Sequence, residues 1–126
     1  MSEIVVENNE EDEGPVPHVW RNTFEEIVKA FTKKDYNLST PILNVDSVPE
    51  NTANQIKEYI KDYGEELIEL PKATWDTSIY ISYGNYWNVL IDLYTKGEGL
   101  SDLVLNAEVR EIDKEFTIKV ELVYVP

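Results

Sequence analysis

The stretch YWNVLIDLYTKGEGLSDLVL, residues 86–105, alternates apolar and polar side chains on both sides of a Gly-containing turn. Trp87, Val89, Ile91 and Leu93 share one parity, and Leu103 and Leu105 share another that continues through Ala107 and Val109. A period of two marks a pleated strand with one buried face, so the stretch reads as two antiparallel strands joined across residues 96–100. A register that faces like with like sets Ile91 opposite Leu105. It puts Asp92 on the other face, opposite Val104, with Asp102 opposite Tyr94 and diagonal to Asp92.

Working outward, the period of two persists to the C-terminus. Phe116, Ile118, Val120, Leu122 and Tyr124 form one face, which places Val109 opposite Ile118 and Glu108 opposite Lys119 as a cross-strand ion pair. Upstream, strands are expected at about residues 66–70 and 74–82. Short turns at Pro71, Gly84-Asn85 and Asp113-Lys114 favour a consecutive antiparallel meander.

Before residue 65 the period is helical. Trp20, Phe24, Ile27, Val28 and Phe31 recur on one helical face, with a capping-box pattern at Thr23 and Glu26 and an end near Lys33 to Asp35. A second helix is announced by Ser47 as cap, Pro49 in the first turn and Glu50 completing the box. Its buried stripe is Ile56, Tyr59, Ile60 and Tyr63, and Gly64 fits the left-handed position past its end. Neither helix reads as carrying a basic face or a heptad run. The expected class is therefore α+β, two N-terminal helices packed on a four- to five-stranded antiparallel meander sheet. Residues 1–17, rich in acid and holding two prolines, are expected as a disordered acidic arm, and residues 18–126 as one domain. Val5 and Val6 are the arm's candidates for pairing with a sheet edge.

The 126 residues include 25 acidic and 11 basic side chains, a formal charge of −14. Without the arm's six acids the remainder still stands near −8. A field of this sign repels nucleic acid and anionic membranes and speeds encounter with basic proteins. With no cysteine, disulfides, thiolate catalysis and iron–sulfur clusters are excluded. No segment approaches the roughly 20 apolar residues of a membrane span, so a cytoplasmic location is expected.

No catalytic signature emerges. His18 is the only histidine, which removes His-based triads and His-rich metal sites within one chain. Gly97-Glu98-Gly99 joins two strands and matches no phosphate-binding pattern. Asp92 and Asp102 on an open sheet face lack the apolar pocket that would separate their pKa values for acid/base work. Nor does the sequence offer the loop spacing of a calcium site. Catalytic residues, metal ligands and cofactors are all expected to be absent. What remains is an acidic and aromatic outer face made of Asp92, Asp102, Tyr94, Tyr86, Glu98 and Glu121, suited to a basic protein partner.

The segment YWNVLIDLYTKGEGLSDLVLNAEV also resembles a family of small bacterial domains in which a Trp-containing strand ends in Asp-Leu and a Glu-Gly-x-Ser-Asp-Leu turn leads into an apolar strand. The residues that match are Trp87, Asp92, Leu93, Glu98, Gly99, Ser101, Asp102 and Leu103. In its general form, small, acidic, Cys-free and single-domain, the chain is similar to bacterial immunity proteins. That likeness implies a non-enzymatic protein that binds and neutralises a cognate toxin, a basic one such as a nuclease. The alternative is a small-ligand or enzymatic domain with a pocket between helices and sheet, lined by Tyr59, Tyr63, Trp75 and Trp87. A third reading makes the acidic arm the binding element of an adaptor domain.

Overall fold

The structure is a computed structural model and describes residues 12–126. Its class is α+β: strand β1 (Glu13–Pro15), helices α1 (His18–Thr32) and α2 (Glu50–Tyr63), then strands β2 (Ile79–Ser82), β3 (Trp87–Thr95), β4 (Gly99–Ile112) and β5 (Glu115–Tyr124). All five strands form one antiparallel sheet in the order β1-β2-β3-β4-β5. The alternation of β3 is complete, with Trp87, Val89, Ile91, Leu93 and Thr95 buried and every residue between them half-buried.

Helix α1 buries Trp20, Phe24, Ile27, Val28 and Phe31 in one core cluster with Val89, Ile91, Leu103 and Leu105 of β3 and β4. Fully burying one such side chain is worth about 1.5–3 kcal/mol, so this stripe decides where the helix sits. Its start differs from the capping-box expectation. The helix opens at His18 after Pro17, no side chain caps it, and Thr23 lies buried within it. Trp20 must be helical to reach the core, which moves the start upstream of any Thr23 cap. Helix α2 likewise follows Pro49 without a Ser47 cap, while Gly64 takes the left-handed φ of +85° expected of it.

The last residues of the expected arm belong to the fold. Glu13–Pro15 pairs with β2, and Val16 is fully buried in the core. The arm proper, with Val5 and Val6, lies outside the described residues. Residues 66–70 and 74–78 also depart from the strand reading. Leu67 makes a single bridge to Thr95, and Lys72–Asp76 is a 3-10 turn. Here hydroxyls replace a ladder: Thr74 Oγ1 donates to the Asp92 carbonyl (2.6 Å), and the Asp92 amide donates to Ser78 Oγ (2.9 Å). With those side chains serving the edge of β3, no strand need extend upstream of Ile79.

Candidate functional site

The two sheet registers are as the apolar pattern requires: Ile91 faces Leu105, Asp92 faces Val104, Val109 faces Ile118 and Glu108 faces Lys119. Two irregularities change what lies around them. In β4 the ladder passes from Asp92↔Val104 to Tyr94↔Leu100, so residues 101–103 on β4 oppose Leu93 alone. In β5 it passes from Ala107↔Val120 to Asn106↔Leu122, which leaves Glu121 as the extra residue of a bulge.

Asp102 is therefore not opposite Tyr94; Leu100 is. The bulge is held by Ser101, whose buried Oγ donates to the Leu93 carbonyl (2.7 Å) and accepts from the Leu103 amide (3.1 Å). The β5 bulge flips the end of that strand. Val123, not Leu122 or Tyr124, is fully buried beside Leu105, and Leu122 and Tyr124 turn half-buried to the outer side. The expected continuous face from Phe116 to Tyr124 thus holds only as far as Val120.

The outer face divides into two zones by row. Glu13, Ile81, Asn88, Glu108 and Lys119 form a mostly polar row. The next rows, Pro15-Ile79-Leu90-Asn106-Leu122 and Asp92-Val104-Tyr124, are mostly apolar, with Tyr94 and Leu100 beyond them. Asp92 is the one acid within this apolar zone. Glu108 pairs with Arg110 and not with Lys119, because the arginine two residues along the strand reaches its carboxylate. Arg110 also lies over the Tyr86 ring (5.1 Å), and Tyr86 stacks on Tyr83 (5.3 Å).

Glu98 and Asp102 come together in a different way from that expected. Tyr63, from the end of α2, accepts the Asp102 amide (3.1 Å) and donates to Glu98 Oε1 (2.7 Å). The Asp102 amide favours its phenolate, but Glu98's hydrogen bond, desolvation and the two carboxylate charges outweigh it and push the hydroxyl above its ordinary pKa of 10.0. The six residues expected to share one outer surface separate: Asp92 and Tyr94 lie on the apolar outer zone, Tyr86 at its polar end, and Glu98 with Asp102 at the tip of the β3–β4 hairpin. Glu121 stands at the β5 bulge. Among the described residues no three His, Cys, Asp or Glu side chains are grouped to hold a metal, and no helix is long and apolar enough to cross a membrane.

The β5 edge of the sheet is covered, and the β1 edge is short. On β5, Asn44 and Asp46 exchange main-chain bonds with Ile118, Gln55 Nε2 donates to the Val123 carbonyl (2.8 Å), and the Val125 amide donates to Tyr59 (3.4 Å). Gln55, Tyr59 and Tyr63 are spaced by four along α2, about 6 Å per step, against about 6.8 Å for two strand residues, so one helical stripe serves successive edge groups. On the opposite side β1 is only three residues long and carries Glu13 and Pro15, both of which discourage further pairing.

The four residues expected to line a pocket between helices and sheet lie in two settings. Trp87 and Trp75 are buried, with Trp20 edge-on to Trp87 and Arg21 over Trp75, while Tyr59 and Tyr63 serve the sheet edge. A cleft of about 480 Å³ lies elsewhere, between the C-terminal ends of α1 and α2, and it is lined by Lys34, Lys57 and Lys61. Contrary to the reading of α2 as lacking basic character, Lys57 and Lys61 share a face at i, i+4. That spacing was the signal available in the sequence; Lys34 joins them only through the fold.

Comparison with curated proteins and with solved structures returns no match. A family model described as Domain of unknown function (DUF7668) matches residues 28–126, which takes in the end of α1, all of α2 and strands β2 to β5, and the chain belongs to that family.

Proposed function

We propose that this chain is a non-enzymatic binding protein, most concretely an immunity protein that neutralises a basic bacterial toxin through the outer face of its sheet. One observation carries the reading. The β5 edge is covered by Gln55, Tyr59 and residues 44–46 and β1 is only three residues long, while the outer face keeps Ile79, Leu90, Leu122, Tyr124 and Tyr94 half-buried around a single acid, Asp92.

An apolar centre with a charged rim is the layout in which a few aromatic anchors supply most of the affinity and the rim sets the encounter rate. The formal charge of −14, to which Glu98, Asp102 and Glu121 contribute, gives long-range attraction to a basic partner. Affinity at the centre does not need the acidic arm, which separates this reading from the adaptor alternative.

The test is protection. If the adjacent gene encodes a toxin, as this reading expects, cells expressing it should survive when the chain is co-expressed, and removal of residues 1–11 from the chain should leave protection intact. Tyr94→Ala combined with Asp92→Lys should abolish it while the circular dichroism spectrum and melting temperature stay near those of the parent. Survival unchanged by that pair of substitutions, or no protection by the intact chain, sinks the proposal.

A further inference from the structure

The cleft between the two helix ends gathers charge against the trend of the whole molecule. Lys34, Lys57 and Lys61 line it, whereas a separate groove of about 300 Å³ sets Lys29 and Lys33 beside two acids, Glu26 and Asp35. The cleft thus holds three of the chain's eleven cations, and the groove two more, in a protein with a formal charge of −14. Among the described residues, none of the five is in an ion pair.

Complementing a helix C-terminus explains Lys61, in the last turn of α2, and Lys29, in the last turn of α1. It does not explain Lys57, a turn earlier, or Lys34, beyond the helix. Lys34 occupies a costly position. The Asp35 amide donates to the Ala30 carbonyl and the Lys34 amide to that of Phe31, the pair of bonds of a Schellman ending, and Lys34 takes the left-handed residue of that motif at φ +65°. Glycine is the ordinary occupant, and a residue held in such a conformation is a mark of sites where function outweighs local stability.

The cleft also has an apolar wall. Phe31 and Ile60 are buried in the core, and the Tyr36 ring leans on Phe31 at 5.7 Å, where burial raises its hydroxyl pKa. Two acids, Glu65 and Glu66, also line the cleft, and Glu65 accepts the Gly97 amide (3.1 Å). The volume lies within the range of small-molecule sites, and the mixture of an apolar wall with a few convergent charges is their usual chemistry.

We infer that this cleft binds a small organic anion, a phosphate or carboxylate carried on an aromatic or aliphatic body, with Lys34, Lys57 and Lys61 on the oxyanion and Phe31, Tyr36 and Ile60 against the body. This site lies apart from the outer sheet face, and its occupancy does not depend on the toxin-binding reading.

Phenyl phosphate and benzoate, titrated into the full chain and followed by amide NMR shifts, test it, with inorganic phosphate, acetate and phenol as comparisons. At least one aromatic anion should bind about tenfold more tightly than its bare oxyanion and than phenol, shifting the amides of Lys57, Lys61 and Gly64. Lys57→Ala with Lys61→Ala should weaken that binding at least about tenfold, a loss expected for charge-assisted hydrogen bonds. Lys119→Ala, on the sheet face, should leave it unchanged. Lys34→Gly should raise the melting temperature and yet weaken binding, a combination that a purely structural role for Lys34 does not produce. Equal binding of phosphate and phenyl phosphate, shifts scattered over all surface lysines, or full binding by the double variant would each overturn the inference.

Discussion

The buried hydroxyl of Ser101 donates to the main-chain carbonyl of Leu93 at 2.7 Å, and through this one bond the β3–β4 hairpin absorbs its extra residues. The same oxygen accepts the Leu103 amide at 3.1 Å, so two main-chain groups in the core depend on it. Removing one partner of a buried hydrogen bond costs about 1–3 kcal/mol. Ser101→Ala should therefore lower unfolding stability by roughly 2–3 kcal/mol in urea. It should also broaden the amide signals of residues 93 and 101–103. A loss under about 0.5 kcal/mol, the scale of ordinary surface changes, would mean that the bulge holds without it.

Tyr63 joins α2 to the hairpin tip through Glu98 and Asp102. Its folded pKa is raised above 10.0, so the neutral hydroxyl is the form that the fold favours. Whatever stability this linkage contributes is fully present below the unfolded value and disappears as pH rises through the higher folded one. Tyr63→Phe should accordingly destabilise the protein near neutral pH and flatten its loss of stability on the alkaline side. In a spectrophotometric titration the variant should lack one late-ionising tyrosine. An unchanged alkaline limb would show that the hydroxyl is not held between the two acidic residues.

Trp20 and Trp87 meet edge-to-face with ring centroids 5.2 Å apart, and each buried indole N–H is without a hydrogen-bond partner. Their packing and their polar cost pull in opposite directions. Trp20→Ala should destabilise by about 3–5 kcal/mol through the cavity it leaves. Trp20→Phe keeps an aromatic edge contact and deletes an unpaired buried donor, so its cost should be well below that, under about 2 kcal/mol. Equal losses from the two substitutions would show that the indole nitrogen is satisfied after all.

Local pattern settled much of this protein. The period of two from Trp87 onward fixes which residues of β3 and β4 are buried, because a one-residue slip would turn every apolar side chain outward. The stripes of Trp20, Phe24, Ile27, Val28 and Phe31 and of Ile56 and Ile60 place two helices, and Gly64 marks an ending. Asp92 is accordingly legible as an outer-face residue opposite Val104.

Other features depended on groups far apart in the chain. Alternation is blind to an inserted residue, so the bulges at residues 101–103 and at Glu121 went unseen, and with them the separation of Asp102 from Tyr94 and the inward turn of Val123. Thr74 and Ser78 looked like strand residues because their hydroxyl bonds to Asp92 are made across the fold. Tyr59 and Tyr63 looked like part of a buried helical stripe until Val125 at the end of β5 and Asp102 of β4 came within their reach. Lys34, Lys57 and Lys61 meet only where two helices end side by side. The sequence by itself determined the elements and their buried faces, since those follow from periodic burial of apolar side chains. The tertiary structure alone decided which polar groups converge, since hydrogen bonds and charges act at a few ångströms regardless of separation along the chain.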